Sequence, residues 1–126
     1  MRMTDRVRDI IEMNLVDHYI PLLVKSDGKL FPMYYARLLG ENKIAFPITN
    51  ATGMDSVLKE PSPATAIVAD REGGFEAYAL NGRASLVTDA SGDDDLMNEV
   101  RNDVPGFPIH GAVVFSIDSV QLMPPP

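Results

Sequence analysis

Apolar and polar positions alternate along this chain with two different periods. Val7, Ile10, Ile11, Met13 and Leu15 recur at close to helical spacing behind Thr4, whose hydroxyl suits the first free N–H groups of a helix. A helix is expected over residues 4–16. From "VDHYIPLLV" onward the pattern becomes strand-like, and "KSDGK" at 25–29 carries the Asp-Gly signal of a hairpin turn. "LFPMYYARLL" at 30–39 reads as the partner strand, "GENK" as a second turn and "IAFPI" as a third strand. "TGMDSVLKEP" predicts a short helix capped by Thr52 or Asp55 and stopped by Pro61 and Pro63.

The second half continues in the same manner. "ATAIVAD" is a strand of small residues closed by the turn "REGG". "FEAYALNGRASLVTD" alternates over its whole length, and its internal Asn81-Gly82 predicts a bulge or bend rather than a hairpin. "SGDDDLMNEVRNDV" predicts a helix with Ser91 as N-cap and an acidic first turn suited to the helix dipole. "PGFPIHG" is a loop, "AVVFSIDSVQLM" a last strand and "PPP" a frayed tail. Six strands in mostly meander order must dispose of their edges by curling. The expected fold is mainly β: a six-stranded antiparallel split barrel with short helices at its ends, one domain over 1–126.

Composition narrows the function more than the fold. The chain has 126 residues, 45% of them apolar, enough for a real core. It carries no cysteine, which removes disulfides, thiolate catalysis and Cys-bound metal. No apolar run is long enough to span a bilayer, and no signal-peptide cleavage pattern follows the N-terminus, so a cytoplasmic protein is expected. The net charge of −7 opposes nucleic acid and anionic membranes as partners.

Chemistry-bearing motifs are few. His18 and His110 lie far apart, and Asp93, Asp94 and Asp95 lack the spacing of a calcium loop. There is no G-x-S-x-G, P-loop or G-x-G-x-x-G. Tyr34 and Tyr35 are adjacent in an expected strand, so one ring should face the core and the other outward. The remaining candidate is the loop "TNATG" at 49–53, where a strand runs toward a helix start rich in hydroxyl and amide groups. Such a junction offers backbone N–H groups to a phosphate, although it is equally the make-up of an ordinary helix cap.

The order helix, hairpin, strand "IAFPITN", short helix ending "KEPSPA", strand, "GRASLVTD" strand, helix and final strand resembles the FMN-binding split-barrel proteins related to pyridoxamine 5′-phosphate oxidase. The similarity runs from about residue 3 to 123. It implies a homodimer with FMN between the two chains. The strand "MYYAR", with Tyr34, Tyr35 and Arg37, would face the flavin together with the loop Pro47, Ile48, Thr49, Asn50, Thr52 and Gly53. Thr49 and Asn50 match the family's pair at the end of the third strand. Gly53 and Met54 stand where the family places a cationic pair on the phosphate. Arg37 is the substitute cation, and backbone N–H groups from Thr52 to Asp55 with the Ser56 hydroxyl are the substitute cradle. Charge-assisted bonds are about twice as strong as neutral ones, so FMN should bind weakly or not at all if these fail.

Two kinds of function follow from the resemblance. One is an FMN flavoprotein, either a flavin-dependent oxidoreductase or an electron carrier for FMN or a deazaflavin, with no catalytic residue identified. The other is a cofactor-free split-barrel dimer acting as an interaction protein. The Arg- and His-rich C-terminal substrate segment of the oxidase has no counterpart in "AVVFSIDSVQLMPPP". Thr52→Glu would put a carboxylate at the helix start. FMN titration of that variant should show sharply weakened binding with the fold intact, and unchanged affinity would move the phosphate elsewhere.

Overall fold

The computed structural model describes residues 3–15, 18–49, 54 and 56–124. The chain runs α1 (Asp5–Met13), β1 (Ile20–Val24), β2 (Lys29–Met33), β3 (Arg37–Leu39), β4 (Lys43–Ile48), β5 (Ser62–Ala69) and β6 (Ala77–Val87). A 3-10 turn at Asp89–Ser91, α2 (Asp94–Asp103) and β7 (Gly111–Leu122) complete it. Met54, Ser56 and Val57 are helical, with the Leu58 N–H donating to the Met54 carbonyl at 2.8 Å. The proposed caps Thr52 and Asp55, and the tail prolines 125 and 126, lie outside the described residues.

All strands pair antiparallel in one curled sheet of order β2-β1-β5-β6-β7-β4-β3. There are seven strands rather than the six expected. The reason is local: residues 30–39 do not form one strand, because the chain breaks between Met33 and Arg37. Tyr35 lies there at φ 55°, a left-handed conformation that no strand residue adopts.

That break forces the curl. Laid flat, seven strands would hold their two edges roughly 29 Å apart, at about 4.8 Å per strand gap. Yet β2 and β3, the two edges, are joined by only residues 34–36, which reach about 15 Å at full stretch. The sheet therefore closes on itself, leaving a split between β2 and β3.

The interior is filled from every strand and from α1. Ile10 and Ile11 of α1 pack with Ile20, Leu22, Ile44, Phe46, Leu80 and Phe115. Thr4 caps α1 as expected, accepting from the Val7 N–H at 3.3 Å, and the helix ends earlier than 16. A second, smaller core lies on the other side of the sheet, where Leu96, Met97 and Val100 of α2 cover Ala45 and Ala112. The strands β4 and β7 are thus buried on both faces, which is why "IAFPI" reads as an unbroken apolar run. The small alanines let α2 approach. Asp93, not Ser91, is the N-cap of α2, its carboxylate accepting from the Leu96 N–H at 3.2 Å. Ser91 instead closes the preceding turn, accepting from the Thr88 N–H at 3.0 Å.

The Asn81-Gly82 irregularity is a bulge, as its sequence predicts. Pairing of β6 with β7 shifts there, Asn81 opposite Ser119 and Gly82 opposite Ile117, so that Asp118 is the extra residue. A Cβ on Gly82 would sit 1.7 Å from the Ser116 carbonyl oxygen. Gly82→Ala must push two paired backbones apart. Urea denaturation should show a loss of about 2–3 kcal/mol, the scale of core overpacking. Gly28, in the β1–β2 turn at φ 72° with open space around its Cβ position, should lose only about 1 kcal/mol as alanine.

Candidate functional site

A cleft of about 570 Å³ opens beside the end of β2 and the 34–36 link, within the usual range for small-molecule sites. Its walls come from three parts of the chain. The end of β2 and the link contribute Phe31, Met33, Tyr34 and Tyr35; the end of β4 contributes Pro47, Ile48 and Thr49, with Met54 just beyond; and Val104, Phe107 and Ile109 close the third side. No charged side chain is among the described lining residues.

Both tyrosines are exposed, Tyr34 at 52% and Tyr35 at 43%. The expected inward–outward split of the pair fails because they lie in a turn rather than a strand. Tyr34 packs against Tyr19 with ring centroids 6.0 Å apart, and Tyr35 against Phe107 at 6.2 Å. Both pairs are tilted, within the range of favourable aromatic geometry. The buried Ala36 anchors the link behind them.

Of the residues expected to contact a cofactor, Tyr34, Tyr35, Pro47, Ile48 and Thr49 come together here. Asn50, Thr52 and Gly53 lie outside the described residues. Ser56 is exposed and is not among the described lining residues. Arg37 lines a neighbouring hollow of about 470 Å³ with Arg8, Glu12 and Asp103. Its guanidinium makes a two-pronged bond to the Asp103 carboxylate, Nε to Oδ2 and Nη2 to Oδ1 both at 2.8 Å, and Glu99 lies 3.9 Å away. Hydrogen bonding to Asp103 holds the Arg37 proton more firmly than usual.

Phe31, Val104, Phe107 and Ile109 were not legible as site residues. The signal available was "VPGFPI", an aromatic between two prolines in a short loop. Pro105 and Gly106 form a turn, Gly106 at φ 89° and the Phe107 N–H donating to the Val104 carbonyl at 3.3 Å, which swings Phe107 to the cleft. Among the described residues no group of three His, Asp or Glu side chains could hold a metal ion, and no helix is long and apolar enough to cross a membrane.

Comparison with solved structures defines the class of fold. HupZ of Group A Streptococcus superposes with a TM-score of 0.73 at 14% identity, over 96% of this chain and 94% of its own. A Clostridium acetobutylicum protein of the pyridoxinephosphate oxidase family, related to general stress protein 26, has a TM-score of 0.67 at 14% identity, over 94% and 85%. An FMN-binding protein from Syntrophomonas wolfei has a TM-score of 0.60 at 13% identity, over 93% and 83%. The chain has the split-barrel fold of the pyridoxamine 5′-phosphate oxidase-like and FMN-binding proteins. No protein-family model and no curated protein matches the sequence.

A left-handed backbone at a non-glycine residue costs about 1–2 kcal/mol. It is least tolerable for a β-branched side chain. Tyr35→Val should therefore destabilise the protein by about 1–2 kcal/mol more than Tyr34→Val does, read by denaturant unfolding.

Proposed function

We propose that the protein is an FMN-binding split-barrel flavoprotein, working as a homodimer with the flavin ring in the cleft bounded by the ends of β2 and β4 and by residues 104–109. One observation carries this reading: an apolar cleft flanked by Tyr34 and Tyr35, in the link that joins the two edge strands of the sheet. A flat tricyclic ring with apolar faces suits such walls, and proteins of the same fold include an FMN-binding one. Tyr34, Tyr35, Ile48 and Met54 would hold the ring and exclude water. The phosphate would rest on the Thr49 side of the cleft, at the mouth of the loop that follows. Bound flavin would supply the redox chemistry, while these residues orient the ring; enzyme and electron carrier share this arrangement.

The outer face of the β1–β2 hairpin supports the dimer. Leu23 and Leu30 are cross-strand partners, both exposed, Leu30 at 64%. The Tyr19–Tyr34 pair continues the same apolar surface to the cleft. A second copy seated there would cover the patch and complete the open side of the site.

The absence of a cationic lining residue among those described favours a second reading, a cofactor-free dimer that serves as an interaction protein. Titration of purified, refolded protein with FMN and riboflavin, read by quenching of flavin fluorescence, separates the two. Saturable binding of FMN with one flavin per chain is expected, and riboflavin should bind more weakly. Equal binding of both would place recognition on the ring alone, and no binding of either would favour the interaction protein. Leu30→Glu should shift the sedimentation coefficient to that of a monomer and weaken flavin binding with it.

A further inference from the structure

We infer that residues 104–109 form a strap that lays the Phe107 ring across the mouth of the cleft, and that Arg37 and Asp103 are positioning residues for it. This inference rests on the flavin reading of the site and adds what holds the ligand in.

The segment is anchored at both ends and exposed in the middle. At its start, Asp103 ends α2 and is gripped two-pronged by Arg37, the first residue of β3. Val104, the next residue, is buried. At its end, the His110 N–H donates to the Ile48 carbonyl at 2.9 Å, pinning the chain to the end of β4. Arg101 reinforces that end from α2, donating to the Ile109 carbonyl at 3.2 Å while it forms a second two-pronged bond with Asp89 at 2.9 and 2.8 Å. Between these anchors Pro105, Gly106, Phe107 and Pro108 are exposed, Phe107 at 55%.

The geometry joins this strap to the link that closes the barrel. Arg37 lies two residues beyond Tyr35, and Tyr35 touches Phe107 across the cleft. The Arg37–Asp103 pair and the Tyr35–Phe107 pair thus tie the same two walls together, one from behind and one at the mouth. Two-pronged Arg–carboxylate bonds fix orientation as well as distance. An exposed aromatic at a cleft mouth, held by one ring contact to Tyr35 and by the anchors on either side, can swing without disturbing the sheet, and closure of such segments governs ligand escape. Arg37 serves the site through this bond to Asp103 and need not touch the ligand.

The test is stopped-flow release of FMN from the full chain, with riboflavin as a second ring probe, alongside hydrogen exchange of the ligand-free protein. Phe107→Ala should speed FMN release about tenfold, the scale of one lost aromatic contact. Arg37→Gln and Asp103→Asn should each speed release about three- to tenfold without lowering protection of β6 and β7 amides. Exchanging the partners, Arg37→Asp with Asp103→Arg, should restore slow release. Release at the native rate in Phe107→Ala and in both ion-pair variants overturns the strap. A native chain that binds no flavin defeats the flavin reading alone. The strap then rests on exchange: selective loss of protection at the Phe107 amide in Arg37→Gln supports it, and unchanged protection overturns it.

Discussion

Three residues, Tyr34 to Ala36, tie one edge of a seven-stranded sheet to the other, and most of the architecture answers to that short tether. Because the tether is far shorter than the width of the flat sheet, the strands have to curl until their edges face each other. Because it is not itself paired, the two edges meet without hydrogen bonds and leave a gap. The cost is carried at Tyr35, whose left-handed backbone turns the chain between two strand directions. Residues held in such conformations persist where the surroundings over-determine them, and they concentrate at working sites.

The rest of the molecule can be read as support for that gap. The α1 face fills the barrel interior from one end with Ile10 and Ile11, so the interior is a packed core and not a pore. The α2 helix packs on the outside of β4 and β7 through Ala45 and Ala112, which brings its C-terminal end to the split. The loop leaving α2 then becomes the third wall of the cleft. Two arginine–aspartate pairs, Arg37–Asp103 and Arg101–Asp89, sit where α2 meets its flanking segments. Arg101 holds the Asp89 carboxyl below its usual range by direct hydrogen bonding. Both pairs are partly exposed, so their value lies in geometry more than in stability.

Much of the fold was legible because local signals and tertiary demands agreed. Thr4 caps α1, Asp27-Gly28 turns the first hairpin, and Asn81-Gly82 marks a bulge that a Cβ would not permit. The seventh strand was hidden because "MYYAR" has every local mark of strand; only the tertiary need to bridge two edges breaks it at Tyr35. Ser91 stood as the expected cap, and Asp93 takes that place two residues nearer the first apolar contact of α2. For the candidate cleft, the resemblance pointed to the β4 end and the tyrosines, and the fold places Tyr34, Tyr35, Pro47, Ile48 and Thr49 along one cleft. Phe107 could not, because nothing local says that a loop seventy residues after the tyrosines folds back onto them. For Arg37 the charge was visible in the sequence, whereas its engagement by Asp103, on a different element, was not.

The split also bears on how copies of this chain behave at high concentration. An open sheet presents two rows of unpaired backbone groups that can recruit further chains into filaments. Here Pro32 leaves β2 with one donor fewer, β3 is only three residues long, and the three-residue tether holds the two edges close together. Edges this short offer an incoming strand few backbone groups to pair with. The break between Met33 and Arg37, which curls the sheet and leaves β3 so short, therefore also opposes strand-by-strand self-assembly.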